Sequence, residues 1–304
     1  MVFWLFMCLV MMAFRDLGYM IRIRILTDRE LNWKRSFDVI MLWEFASALT
    51  PSVVGGSGVA MFILNQEKIP LGKSTAIVLV TALFDELFYI IMVPICILLA
   101  GWENLFPAEI LETVVKLPGG YHVGIEEAFL TGYFFIFFLT IIILLSVFFA
   151  PQSFKTVLVK IFSIPGLKRW RPQATEVGDE VVITSVELKG RKLNFWVKIL
   201  GATFFSWTAR FLVINCLIFA FVSSADHFIL FARQMVMWVI MLISPTPGGT
   251  GIAEFVFKGF LQEYTLPNLA GFQAFLWRLF SYYPYLIIGA ILFPRWLRRV
   301  RKKA

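Results

Sequence analysis

The chain has 304 residues, 59% hydrophobic and 17% aromatic, with 33 Phe and a formal net charge of +8 from 28 Lys and Arg against 20 Asp and Glu. A mean hydropathy of +0.79 excludes an ordinary soluble domain, which carries far less apolar sequence. His122 and His227 stand far apart, and Cys8, Cys96 and Cys216 lie inside apolar stretches without ligand spacing, so neither a metal nor another cofactor is expected.

In chain order, residues 1–14 are apolar throughout and carry neither a basic leader nor a small-residue cleavage site. At 1.5 Å per residue they reach about 21 Å, short of the roughly 30 Å of bilayer hydrocarbon. They read as a helix cut short at its start. Residues 74–100, 130–150, 196–222 and 270–293 read as full spans, while 37–64 and 228–260 are apolar but interrupted near the middle by Pro and Gly.

If the first interrupted segment is a hairpin entering from one face and the second contains one entering from the other, segments 15–36, 65–73, 151–195 and 294–304 share a side. They hold 22 of the 28 Lys and Arg, whereas the opposite loops 101–128, 223–227 and 263–269 hold Lys116. That bias places the first set in the cytoplasm. The net charge is therefore a topology signal and not a nucleic-acid signal.

Within 151–195, Phe154, Val157, Leu158, Ile161 and Phe162 follow helical spacing with Lys155 and Lys160 off the stripe. Two readings stay open: a helix lying on anionic headgroups, or one packed on the bundle. Arg295, Arg298, Arg299, Arg301, Lys302 and Lys303 form a basic tail that anchors topology.

The two interruptions resemble each other. Thr50-Pro51-Ser52-Val53-Val54-Gly55-Gly56-Ser57-Gly58-Val59-Ala60-Met61-Phe62 is matched by Ser244-Pro245-Thr246-Pro247-Gly248-Gly249-Thr250-Gly251-Ile252-Ala253-Glu254-Phe255, 193 positions later, each preceded by a tryptophan, Trp43 and Trp238. Pro and Gly break the helical ladder, and unsatisfied backbone at membrane depth is tolerated only inside protein or beside a wet cavity. Each motif is expected at the tip of a broken helix, the two related by inverted topology with the substrate site between them. The hydroxyls of Thr50, Ser57, Ser244 and Thr250 are expected to cap freed amides. Close packing of small residues is the simpler alternative.

Asp38, Glu44, Asp85, Glu86, Arg210, Arg233, Glu254, Lys258 and Arg278 fall inside apolar segments. A charge at the bilayer centre costs roughly 2.5 to 3.5 kcal/mol on insertion scales, so this many should face one another or water. Arg210 stands near the centre of its span with no interface to reach. Arg233 and Arg278 lie roughly two turns from outer helix ends, where with broken-helix amides they suit a phosphate or carboxylate headgroup.

Asp85 and Glu86 project about 100° apart, so one is expected to pair with an arginine while the other borders the cavity; ion pairs that merely fix helix register are the alternative. Pro94 should free the carbonyl of Ile90 and bend the helix. Glu44 and Glu254 flank the two motifs. Tyr282, Tyr283 and Tyr285 read as an aromatic cluster, Tyr282 within hydrogen-bonding reach of Arg278.

The run from Ser244 to Glu254, with Ser206-Trp207-Thr208-Ala209-Arg210 upstream and the paired motif at Thr50, resembles the lysylphosphatidylglycerol synthase transmembrane-region family, the flippase-like domain, over nearly the whole chain. The resemblance implies a multi-pass protein of the bacterial inner membrane whose best-studied relatives translocate aminoacylated phosphatidylglycerol. A separate soluble domain makes that lipid in those relatives, so no enzyme activity is expected of this chain.

The expectation is one flippase-like domain over 1–304: an all-α polytopic bundle with two broken, re-entrant hairpins related as an inverted repeat and a cytoplasmic C-terminus. It would move an anionic or aminoacylated phospholipid, or a similar amphiphile, between leaflets. The expected headgroup site comprises Arg210, Arg233, Arg278, Glu44, Asp85, Glu86, Glu254 and Tyr282. Its tips would be Thr50, Pro51, Gly55, Gly56, Ser57, Gly58, Ser244, Pro245, Pro247, Gly248, Gly249, Thr250 and Gly251. A transporter of a small anionic solute and a membrane-embedded transferase acting on a lipid-linked substrate remain alternatives. The partners expected are membrane lipids, not nucleic acid, with self-association left open.

Overall fold

The computed structural model describes residues 1–304 except 51, 112–113, 117–121, 223, 243–245, 267 and 302–304, and only the backbone of 52–55, 109, 114–116 and 122. Pro51, Ser244 and Pro245 of the expected tips, and Lys302 and Lys303 of the expected tail, thus lie outside the described residues. Five helical segments are long and apolar enough to cross a membrane: Val2–Leu26, Leu71–Ala100, Ile125–Phe149, Leu193–Phe219 and Ala270–Arg301. The protein is a polytopic helical bundle.

Helix α1 (Val2–Leu26) runs well past the apolar stretch 1–14. The expectation of a loop from residue 15 is corrected, because Arg15 and Arg22 ended the apolar run in sequence yet are buried in the helix. Their charge is met inside the bundle, so a helix of about 37 Å at 1.5 Å per residue continues through them. It packs antiparallel on α10 (Leu193–Phe219). The Cys8 thiol meets the carbonyl of Val213 at 3.5 Å, and Ser206 donates to that of Arg15 at 2.6 Å. Gly18 permits this approach: a Cβ there would fall 2.9 Å from that of Ser206.

Two helix pairs fold back on themselves. In the first, α2 (Trp33–Leu49) and α3 (Ser52–Gln66) meet at Thr50, and their far ends are brought together by Arg35 and Glu67 at 3.7 Å. The side chain of Asn32 starts α2 by accepting from the amide of Arg35 at 2.9 Å. The second consists of α11 (His227–Leu242) and α12 (Ile252–Leu261), whose open end is closed by Arg233 donating to the carbonyl of Phe260 at 2.9 Å.

The long helix α4 (Leu71–Ala100) contains Pro94, and the carbonyl of Ile90 that the proline leaves free accepts from the Tyr133 hydroxyl at 3.2 Å. Beyond α4 come the short helices α5 (Trp102–Leu105) and α6 (Ala108–Leu111). A two-stranded antiparallel ribbon follows, β1 (Val114–Lys116) with β2 (His122–Gly124), Val115 opposite Val123. This small ribbon lies between spans of a bundle that is otherwise all-α, as expected. Helix α7 (Ile125–Leu144) ends in a π-turn, Leu145–Phe149.

One end of the bundle gathers the basic segments. Lys73 pairs with Glu30 at 2.7 Å, Arg191 with Asp28 at 2.5 Å, and the amide of Gly72 donates to Glu180 at 2.5 Å. The loops grouped by charge are therefore grouped in space. The expected tail is corrected: α13 (Ala270–Ser281) and α14 (Tyr283–Arg301) form one span broken at Tyr282, and α14 stays helical through Arg301. Arg299 is half-buried against Asp38, at 2.8 Å, and Glu67, whose carboxylate also accepts from Trp296. It anchors the helix through ion pairs more than through headgroups.

At this end α8 (Pro151–Ile161) packs on α9 (Arg171–Lys189) through Lys155 and Asp179 at 2.5 Å. Val157 and Ile161 of the expected apolar stripe stay exposed.

Candidate functional site

Among the described residues, two charged clusters take up most of the sequence-predicted residues, and the rest stand apart. The innermost is built on α1. Arg15, Tyr19 and Arg22 recur at i, i+4 and i+7 and so share a face. Arg15 is fully buried, with Asp16 at 3.0 Å and Glu44 of α2 at 2.5 Å, between the rings of Tyr19 and Tyr285 at 4.9 and 4.7 Å. Tyr285 in turn donates to Asp16 at 2.8 Å.

Arg22 grips Asp85 of α4 with both terminal nitrogens, at 2.5 and 3.1 Å, and Trp207 of α10 donates to the same carboxylate at 2.7 Å. Such forked pairs are the strong kind. Asp85 therefore pairs with an arginine, as expected, but with one the sequence reading had placed in a loop.

Arg210 faces this cluster rather than lipid. Its guanidinium lies over the rings of Trp238 and Trp207, at 4.2 and 4.9 Å, and reaches the Tyr19 hydroxyl at 3.4 Å. Among the described residues, no carboxylate oxygen comes within 4.0 Å of it. Stacking on two aromatic faces stabilises a half-buried cation while leaving most of its donors unspent.

The second cluster sits at the hairpin turns. Arg278 of α13 donates to the carbonyl of Gly248 at 2.8 Å, touches the Thr250 hydroxyl at 3.3 Å and stands 3.4 Å from Glu254. Glu254 also accepts from the Gly251 amide at 2.7 Å, closing the first turn of α12. Tyr282 lies under Arg278 at 3.8 Å, ring against cation, and its hydroxyl donates to the carbonyl of Ala48 at 3.0 Å. The expected hydrogen bond from Tyr282 to Arg278 is thus replaced by a stacked contact.

The expected role of the tip hydroxyls is also corrected. Thr50 donates to the carbonyl of Ala46 at 2.8 Å and Thr250 to that of Pro247 at 2.9 Å. A broken helix orphans carbonyls as well as amides, and at these turns the hydroxyls serve the carbonyls while Glu254 serves the amide. Gly56 packs against Ser47 across the first turn, Gly58 meets open space, and Gly248, Gly249 and Gly251 take positive φ. The backbone at Gly55 is helical, Ser57 is described within α3, and Pro247 enters the turn through its carbonyl.

The remaining residues stand apart. Arg233 is tied to Glu263, to the carbonyls of Asn104 and Phe260, and to the Tyr264 ring at 5.2 Å. Burial pushes the Tyr264 phenol up, opposed by that arginine. Glu86 accepts from the Thr140 hydroxyl at 2.8 Å on the α7 side, and Lys258 lies near Gly271. No three His, Cys, Asp or Glu side chains among the described residues converge as a metal site.

Sequence reasoning left Arg15, Asp16, Tyr19 and Arg22 out of the site and read Tyr285 only as part of an aromatic cluster. The i, i+4, i+7 spacing of Arg15, Tyr19 and Arg22 was the available signal, masked because charge was read as the end of a span.

The model of the family described as the lysylphosphatidylglycerol synthase TM region matches residues 1–289. A UPF0104 membrane protein of Archaeoglobus fulgidus is 23% identical over 298 residues, covering 95% of this chain and 81% of the relative. No solved structure matches.

Proposed function

The chain belongs to the lysylphosphatidylglycerol synthase TM-region family, and we propose that it translocates an anionic or aminoacylated phospholipid between leaflets, holding the headgroup at Arg210. Family and fold make it a flippase-like membrane protein; the matched region is the transmembrane one rather than a catalytic domain. The observation that carries the reading is Arg210 itself, a cation near the middle of α10, stacked on Trp207 and Trp238 and without a carboxylate in contact among the described residues. Holding such a charge at membrane depth is costly, and function is the default reason for it.

Two further features support the reading. The α2–α3 pair opens toward the basic end while α11–α12 opens toward the short helices after α4, and Tyr282 links their turns. That suits two re-entrant hairpins of an inverted repeat with a site where they meet. The inner cluster also offers three arginines against Asp16, Glu44 and Asp85, so a headgroup phosphate could be exchanged for a carboxylate without leaving a bare charge. With the basic end in the cytoplasm, as charge bias directs, the C-terminus is cytoplasmic.

The test is a leaflet-accessibility assay: purified protein in liposomes carrying fluorescent phosphatidylglycerol or its lysyl ester, with outer-leaflet quenching to follow the protected fraction. Accelerated loss of protection that disappears in Arg210→Ala supports translocation through this site. Folded protein that accelerates neither lipid refutes it.

A further inference from the structure

A groove of about 750 Å³ runs along the outer side of the α1–α10 contact, at the basic end of the bundle. Its rim is cationic, with Arg24, Arg29 and Lys198, and its floor is apolar, with Ile21, Ala202 and Phe205. The neighbouring carboxylates are already taken, Asp28 by Arg191 and Glu30 by Lys73. Among the described residues, none of the three rim cations has a carboxylate within 4.0 Å. Arg24 is held in place by donating to the carbonyl of Leu31 at 3.1 Å and by the Trp33 ring, 4.1 Å away.

We propose that this groove binds one anionic phospholipid of the adjacent leaflet, phosphate on Arg24, Arg29 and Lys198, acyl chain on Ile21 and Phe205. The layering carries the argument. Arg24 lies in the last turn of α1 and Lys198 in the second turn of α10, whereas Ile21, Ala202 and Phe205 lie deeper along the same helices. Cations at the helix ends and apolar side chains about one to two turns inward repeat the order of headgroup and chain in a leaflet. Exposed Phe14 and Leu17 continue the apolar track, with Phe14 against Phe205 at 5.8 Å between ring centres. A soluble anion would gain nothing from that track.

Gly201 makes the groove. It is exposed, and a Cβ added there meets nothing within 4 Å, so a side chain at this position fills the groove without disturbing the fold. Arg22, which grips Asp85, is buried inside the bundle and does not line the groove, so the groove is separate from the Arg210 cluster. The assignment deepens the lipid reading of the protein and rests on it for the leaflet geometry, but its test does not need translocation.

Native mass spectrometry of the full chain, released from micelles doped with phosphatidylglycerol or phosphatidylcholine, counts retained lipid. Wild type is expected to keep phosphatidylglycerol in preference, with affinity falling about fivefold for each cation removed in Arg24→Gln, Arg29→Gln and Lys198→Gln. Gly201→Trp should lower the retained count by one lipid while keeping the thermal midpoint of the wild type. Glycerophosphate should not compete. Equal retention of the two lipids, an unchanged Arg24→Gln/Arg29→Gln/Lys198→Gln variant, an undiminished lipid count in folded Gly201→Trp, or displacement by glycerophosphate would each overturn the assignment. Arg210→Ala should still show the lipid that Gly201→Trp removes, so groove binding is read apart from headgroup binding at Arg210 and a failed leaflet assay falls on the transport reading alone.

Discussion

The hydroxyl of Tyr282 donates to the carbonyl of Ala48 at 3.0 Å, while a Cβ at Gly248 would fall 2.3 Å from the same ring. One side chain at the break between α13 and α14 therefore touches the turns of both helical hairpins. Any movement of one turn relative to the other must break this contact or carry Tyr282 along.

Tyr282→Phe keeps the ring under Arg278 and removes only the link to Ala48. A loss of about 0.5–1.5 kcal/mol is expected, the net worth of one hydrogen bond, together with a changed translocation rate. Thermal unfolding in detergent and the leaflet assay read the two effects; an unchanged rate would deny the link a part in turn movement.

Gly248→Ala should cost more than the roughly 1–2 kcal/mol that a left-handed backbone demands of an L residue, since φ is +58 and the new methyl meets the Tyr282 ring. At Gly251 φ is +87 but nothing lies within 4 Å, so Gly251→Ala reports the backbone cost alone. Equal thermal losses in the two variants would contradict the close approach of Tyr282.

Arg22→Ala leaves Asp85 inside the bundle without its partner and is expected to destabilise by about 3–5 kcal/mol. Replacing both residues by leucine should recover much of that loss, because two charges then leave the interior together. A double variant as unstable as the single one would show that the pair is not a unit.

Arg210→Ala should behave differently. Having ring contacts but, among the described residues, no carboxylate in contact, it is expected to lose at most about 2 kcal/mol while abolishing translocation. Stability loss as large as that of Arg22→Ala, with translocation intact, would make Arg210 a structural residue.

Glu86→Gln preserves an acceptor for the Thr140 hydroxyl and should unfold close to wild type. If Glu86 carries a proton during transport, the variant's rate will no longer vary with pH. A pH profile identical to wild type assigns the carboxylate to helix register instead.

Much of this protein was legible in one dimension. Apolar runs locate spans because a backbone in hydrocarbon must satisfy itself within a helix, and the clustering of Lys and Arg grouped the segments that Lys73, Arg191 and Arg299 tie together at one end. The paired Pro and Gly motifs likewise marked both turns, and Pro94 identified the carbonyl that Tyr133 satisfies. These are local consequences of backbone chemistry.

Tertiary structure decided where each charge finds its partner. Arg15 and Arg22 read as the end of a span because sequence shows the cost of a buried charge but not the carboxylate that offsets it; Glu44 and Asp85 arrive from α2 and α4. The same holds for Arg299, read as part of a basic tail that anchors topology until α14 laid it on Asp38 and Glu67. Sequence placed Arg210 at the centre of its span, but only helix packing shows it lying on Trp207 and Trp238 with no carboxylate in contact among the described residues, whereas Arg15 and Arg22 each meet one.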